Sequence, residues 1–251
     1  MSIAIIGSKG YIGSYLLQYF GSNAHGDPAE ETLYNYDTVI YLGGYSSRNK
    51  CKTWEDTYNH NVVDITRIAT RLNKNQLLMF ASTGAIASSS DTRKMDLYTL
   101  SMYERERAMS EAKLKTIGLR LGGVVGLSPV MRKDLSYNAM MHSAKTENII
   151  RVNSPESYRS ILWIQDLAKC VDICIKDSYK IKERHSVFNL ASYDISIIDI
   201  ARDISQCTGA SIQIGEDTGV PSFKLDTKDF CETFCYTFQG TRELVIQDLA
   251  P

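Results

Sequence analysis

Ile3-Ala4-Ile5-Ile6-Gly7-Ser8-Lys9-Gly10-Tyr11-Ile12-Gly13 is a short apolar run, a glycine-spaced turn and the opening of a helix. Ile3 to Ile6 suits a buried strand, and Tyr11 to Phe20 carries apolar residues at helical spacing. In a strand–turn–helix of this kind the glycines let the backbone turn tightly and approach a pyrophosphate. Free N–H groups at the helix start then hold its charge. Gly7, Lys9, Gly10, Tyr11, Ile12 and Gly13 are therefore candidate cofactor contacts, with Lys9 placed to favour a 2′-phosphate.

The same pattern of unit recurs outward from this stretch. Thr38 to Leu42 is a second apolar run that ends at Gly43-Gly44, and Gln76 to Ala81 is a third that ends at Ser82-Thr83-Gly84. Val62 to Leu72 has helical periodicity between them, and Tyr98 to Lys115 reads as a long helix feeding the strand Thr116 to Leu121, which Gly122-Gly123 closes. This alternation predicts an α/β fold with a doubly wound parallel sheet. From Ser128 onward Pro129, Asn138, Asn148, Asn153 and Pro155 interrupt the pattern until the strand Ser160 to Ile164 and a helix over Asp166 to Ile175. Val187 to Ala191 is a further strand, and Ser196 with Asp199 forms a capping box for a helix ending near Gly209. The expected division is a dinucleotide-binding core over 1–127, rejoined by 185–200, with 128–184 and 201–251 making a smaller substrate lobe.

Composition narrows the classes. A chain of 251 residues, 43% hydrophobic and 23% charged, can bury a substantial core. With 28 basic and 29 acidic residues its formal charge is −1, so no global field draws nucleic acid or an anionic membrane surface, and neither is expected as a partner. Met1 to Gly7 has no charged leader pattern, and no stretch of about 18 apolar residues occurs, so a cytoplasmic location is expected. The six cysteines are expected to be reduced and mostly core. No CxxC and no histidine at ligand spacing accompanies them, so no metal is expected.

Several stretches now stand in a telling order: GxxGYIG at 7–13, TVIYLGG at 38–44, Asn61-Val62 opening a helix, Phe80-Ala81-Ser82-Thr83, Tyr98-Thr99-Leu100-Ser101, Leu119-Arg120-Leu121-Gly122-Gly123, and Arg159 to Asp166 (RSILWIQD). The chain resembles the extended short-chain dehydrogenase/reductase family, which includes the NAD-dependent sugar-nucleotide epimerases and dehydratases. The resemblance implies a Rossmann-like core with a smaller C-terminal α/β substrate lobe. It implies NAD or NADP as cofactor, with Leu42, Gly43, Gly44 and Asn61 joining the glycine-rich turn. It places Tyr98 as the catalytic acid/base, and Thr83, with Ser82 as its neighbour, as the catalytic hydroxyl. Arg159, and Asn138 within Asp134-Leu135-Ser136-Tyr137-Asn138, fall where relatives hold a nucleotide sugar. Epimerisation, dehydration and reduction all remain open, and a homodimer is compatible with the resemblance.

Two departures stand out. Met102 occupies the position four after Tyr98 where the family has the lysine that holds the nicotinamide ribose and lowers the tyrosine pKa. A tyrosine without a nearby cation ionises at about 10 and is a poor base at neutral pH. Arg93, Lys94 and Arg105 are the cations available nearby, while a shifted YxxxR reading, Tyr103 with Arg107, loses the Ser101 match. Gly21 to Asp37 is also too short for a full second strand, helix and third strand, so the adenosine side is expected to be abbreviated and Asp27 to be a solvated loop residue. Met102 keeps an alternative in view: a catalytically impaired dinucleotide-binding sensor or scaffold of the same fold.

Overall fold

The computed structural model describes residues 1–88, 91–216 and 222–250. The first half of the chain runs β1 (Ile3–Ile6), α1 (Tyr11–Phe20), β2 (Ala24–Gly26), β3 (Thr38–Tyr41), α2 (Trp54–Tyr58), α3 (Asp64–Arg71), β4 (Leu77–Thr83), α4 (Leu97–Ser110), β5 (Lys115–Leu121) and β6 (Gly123–Val125). It continues through α5 (Ser136–Glu147), β7 (Ile149–Val152), β8 (Tyr158–Trp163), α6 (Ile164–Lys176), β9 (His185–Leu190), β10 (Tyr193–Ser196), α7 (Ile197–Thr208), β11 (Ser211–Ile214), α8 (Lys228–Phe234) and α9 (Arg242–Leu249).

Six parallel strands form the main sheet in the order β2-β1-β3-β4-β5-β9. The strands read as unbroken apolar runs because both faces are covered. Ile3, Ile5, Ile40, Leu77 and Met79 point to one side, where Leu16 of α1 and Leu167, Val171 and Cys174 of α6 meet them. Ala4, Val39, Tyr41, Leu78 and Phe80 point to the other, against Ile65 and Ile68 of α3 and Met109 of α4. That is the period-two alternation of a sheet buried on both sides. The chain leaves β1 toward β2 on one side and crosses to β3 on the other, so the carboxyl ends of β1 and β3 flank a topological switch point, where open α/β sheets bind ligands.

The adenosine side is abbreviated but not missing its second strand. Ala24 to Gly26 pairs with Ile3 to Ile5 in parallel, and a 3-10 turn over Glu30–Asn35 replaces the helix that would lead to an outer strand. Three residues, of which His25 and Gly26 are exposed, give too brief an apolar run to register as a strand in sequence.

Helix α6 lies against the main sheet, as do Phe230 and Phe234 of α8, which pack edge-on to Phe188 of β9. Strand β10 joins β8 and β6 in a separate three-stranded sheet. The smaller core is built by Tyr137, Met140 and Met141 of α5, Ile150 and Val152 of β7, Ile200 and Ile204 of α7, and Val245 of α9. Ser196 caps α7 but the reciprocal half of the expected box differs: Ser196 Oγ accepts from Asp199 N at 3.2 Å, and the Asp199 carboxylate accepts from the Ser196 hydroxyl at 2.7 Å; α7 ends at Gly209 with φ 77°. Cys170 and Cys174 are buried core residues.

One carboxylate ties the last segment to the sheet. Asp166, at the start of α6, is buried and accepts from the Tyr236 hydroxyl (2.7 Å), Gln239 N (2.9 Å), Gly240 N (2.8 Å) and Ser192 Oγ (2.6 Å). Asp166→Ala removes the acceptor for all of these at once. It is expected to cost about 3 kcal/mol or more in urea denaturation, since hydrogen bonds to a charged group contribute about 1.5–3 kcal/mol each.

Candidate active site

The main sheet opens at its carboxyl edge into a cleft of about 530 Å³. Gly7, Gly10, Tyr11, Ile12 and Gly13 form one wall, Leu42, Gly43 and Gly44 a second, Thr83, Tyr98 and Met102 a third, and residues of the smaller lobe the fourth. Two glycines of the first wall show what it is shaped for. Gly13 has no room for a side chain, since a Cβ would stand 2.1 Å from the Gly7 carbonyl oxygen, so it lets α1 start directly against the turn. Gly10 is different: a Cβ there would meet only the Gly7 oxygen at 3.3 Å and would otherwise project into open space. The protein does not forbid a side chain at Gly10, and what its absence preserves is close access to the backbone amides at the start of α1, as a pyrophosphate requires.

Asp27 organises that turn. Its carboxylate accepts from Gly7 N at 2.6 Å, Ser8 N at 3.4 Å and Ser8 Oγ at 2.7 Å. Partial burial alone would raise its pKa, but the Ser8 hydroxyl, the Gly7 and Ser8 amides and the charge of Lys9 outweigh it and hold the carboxyl below its ordinary range. Asp27 thus stands at the end of β2 as a loop anchor rather than a free solvated aspartate. Lys9 beside it is exposed and outside the cleft wall.

Tyr98, in the first turn of α4, and Thr83, at the end of β4, both line the cleft. Asp96 caps α4 by accepting from Thr99 N at 2.8 Å. Burial raises the Tyr98 pKa above its ordinary value, opposed by the Thr83 hydroxyl and by the charges of Arg105 and Arg132. Ser82 also lines the cleft, but its hydroxyl is engaged, donating to Glu106 Oε1 at 2.5 Å. Glu106 is in turn gripped by Arg120, with Nε to Oε1 at 2.9 Å and Nη2 to Oε2 at 2.6 Å. Ser82, Glu106 and Arg120 therefore clamp α4 to β4 and β5 behind the site.

Other expected residues fall at different depths. Asn61 is fully buried behind the wall, in a π-helical turn over Asn59–Val63, where Oδ1 accepts from Tyr45 N at 2.6 Å and Nδ2 donates to Ser101 Oγ at 2.8 Å. Tyr11 lines the cleft, but its hydroxyl donates to the Gly126 carbonyl at 2.7 Å. Asn138 is buried with Nδ2 donating to the Arg132 carbonyl at 2.9 Å, and it supports the wall rather than forming it. Arg159 does line the cleft.

Sequence reading did not single out Lys50 and Arg132, which also line it. Arg132 is held by Asp134 (Nε to Oδ1, 2.7 Å) and donates to the Ser46 carbonyl at 2.8 Å, closing the loop after β6 over the loop after β3. Neither sits in a recognisable motif, and their convergence depends on two distant loops meeting. With Arg105, the cleft wall carries four cationic side chains and, among the described residues, no carboxylate. Its chemistry suits an anionic ligand. Among the described residues no group of three or more His, Cys, Asp or Glu side chains is placed to hold a metal ion, and no helix is long and apolar enough to cross a membrane.

No family model matches the chain, and no curated protein sequence does. Solved structures share its fold along its full length. MoeE5 in complex with UDP-glucuronic acid and NAD superimposes with a TM-score of 0.83 at 15% identity, covering 99% of this chain and 98% of that one. UDP-glucuronic acid 4-epimerase from Bacillus cereus, in complex with UDP-glucuronic acid and NAD, gives 0.81 at 14%, covering 100% and 98%. RMD from Pseudomonas aeruginosa complexed with NADPH gives 0.81 at 12%, with the same coverage. The Rossmann-like architecture with a second, smaller lobe is thus the fold that the sequence motifs imply.

The Asp27 anchor has a pH signature. A carboxyl held low in the folded state contributes stability above its unfolded pKa of about 3.9 and loses that contribution as pH falls through the folded value. Asp27→Asn is therefore expected to lower the thermal midpoint at pH 7 and to approach the parent as pH falls through the folded pKa. Parallel melting curves across that range check it.

Proposed function

We propose that the protein is an NAD(P)-dependent enzyme acting on a nucleotide-activated sugar, with Tyr98 as the acid/base. The observation that carries this reading is that one cleft joins the Gly7–Gly13 turn, with its open face at Gly10, to the side chains of Thr83 and Tyr98. The bound dinucleotide supplies hydride acceptance and donation. Gly7, Gly10, Ile12 and Gly13 present the backbone that holds its pyrophosphate, and Leu42, Gly43 and Gly44 form the adjoining wall.

The protein's own groups account for the proton. Tyr98 exchanges one with a sugar hydroxyl or carbonyl oxygen, and the Thr83 hydroxyl hydrogen-bonds the same oxygen, stabilising charge that develops on it. Met102, Leu121 and Val124 line the cleft beside this pair and keep water scarce. Arg159 and Arg132 enter from the lobe side, where a guanidinium grips a diphosphate through paired N–H donors. The anionic groups of the dinucleotide and of a nucleoside diphosphate match a wall carrying cations and no carboxylate.

Calorimetric titration of NAD and NADP separately tests the first half of the proposal. NAD is expected to bind, and Gly10→Asp to abolish binding by placing a carboxylate where the pyrophosphate approaches; equal affinity of parent and variant would show the site to be misassigned. Turnover assays against a panel of UDP-, GDP- and dTDP-sugars test the second. Tyr98→Phe is expected to lower turnover about 10²–10⁴-fold, the usual worth of a positioned acid/base. Arg159→Ala is expected to weaken sugar-nucleotide affinity while leaving NAD affinity unchanged.

A further inference from the structure

On the reading that Tyr98 exchanges the proton, the helix that carries it lacks a cation where one is needed, since Met102 is buried and apolar. Arg105 lies three residues beyond Met102 and seven beyond Tyr98. Seven residues are about two turns, so Tyr98, Met102 and Arg105 share one face of α4. Side chains lean toward the N-terminus of their helix, which carries a long arginine back from position 105 toward the turn of Tyr98. Tyr98, Met102 and Arg105 all line the cleft.

The guanidinium is anchored with unusual completeness. Nε donates to the Asn61 carbonyl at 2.6 Å, Nη1 to the Ala81 carbonyl at 2.9 Å and Nη2 to the Gly43 carbonyl at 3.0 Å. The Tyr41 ring lies beneath it, 5.4 Å from the ring centroid to Cζ. Two backbone features make this place. The π-helical turn interrupts the ordinary ladder around Asn61, whose carbonyl turns to Arg105. Gly44, with φ +100°, leaves open the space in which a Cβ would stand 2.6 Å from Nη2. Such a site is costly to build for a purely structural end, because a buried charge is stabilised only when it is fully hydrogen-bonded. Nη1 and Nη2 each carry a second N–H, and both nitrogens belong to a residue of the cleft wall. An arginine keeps its proton even when buried, so the charge is permanent at neutral pH.

We propose that Arg105 is the positioning residue that supplies, from a different turn of the same helix, the fixed positive charge that Met102 cannot supply to Tyr98. The charge of Arg105 acts on the Tyr98 phenol in the direction that favours phenolate, against the effect of burial. Met102 is then an apolar spacer, and its presence does not imply lost activity.

The test combines four variants with a readout that does not depend on turnover. With tyrosine ring carbons labelled, the Tyr98 phenol is titrated by NMR in the free folded protein, assigned by Tyr98→Phe, and the pH–rate profile is measured alongside. Arg105→Met is expected to move the phenol midpoint up by about one pH unit or more and to slow turnover at pH 7 about tenfold or more, with the limb that rises with pH displaced upward by the same amount. Adding Met102→Lys to Arg105→Met is expected to restore both. A folded Arg105→Met with the parent's phenol midpoint and pH profile overturns the proposal. Should Arg105→Met fail to fold, Met102→Lys decides: a gain of tenfold or more would mean that no cation had been serving Tyr98. If the parent binds no dinucleotide and turns over no sugar nucleotide, the function proposed above fails, while the phenol titration still tests the pairing of Arg105 with Tyr98.

Discussion

A buried guanidinium is stable only where acceptors meet its N–H groups, and in this protein that requirement holds the site together. Arg105 on α4 is met by carbonyls from the π-helical turn, from the loop after β3 and from β4. Losing any of these acceptors would strand a charged donor in the interior, so the elements are locked in mutual register. The neighbouring residue, Glu106, extends the lock through Ser82 to β4 and through Arg120 to β5. Helix α4 therefore cannot slide along the sheet, and Tyr98 in its first turn is held in the cleft wall by the packing behind it. The clamp and the cleft are two sides of one wall.

Carboxylates do the corresponding work for the loops. Asp27 gathers the amides and hydroxyl of the Gly7–Ser8 turn from the end of a three-residue strand. Asp166 gathers the segment before α9 onto the start of α6, and Asp134 steers Arg132 toward the loop after β3. In each case a short acceptor fixes backbone that lacks a helix or sheet partner, as the hydrogen-bonding needs of irregular chain dictate. The result is a cleft whose floor is sheet and whose rim is pinned at a few ionic points.

The sheet and the glycine-rich turn were legible in the sequence because their signals are local: unbroken apolar runs over Ile3–Ile6, Thr38–Leu42 and Gln76–Ala81, each ending at glycine or serine. Tyr98 and Thr83 could be paired from motif order alone. β2 escaped because three residues, two of them solvent-facing, carry no periodicity. The amphipathic pattern of helix α6 says that it buries a face, but not which sheet covers that face. Arg105 was visible only as one of three nearby cations. What separates it from Arg93, which is exposed and paired with Asp91, is burial by elements distant in the chain, and sequence spacing does not encode that. Lys50 and Arg132 needed two loops to meet before they could be recognised as one electrostatic surface.

The central claim is that a dinucleotide lies along the carboxyl edge of the sheet with its reactive end between Thr83–Tyr98 and Arg105. A crystal structure of the protein soaked or grown with NAD measures this directly. The account predicts pyrophosphate density against the amides at the start of α1, over Gly10, and the nicotinamide riboside beside Tyr98 and Met102. Well-ordered dinucleotide elsewhere on the molecule, or an empty cleft at saturating NAD and NADP, would contradict it.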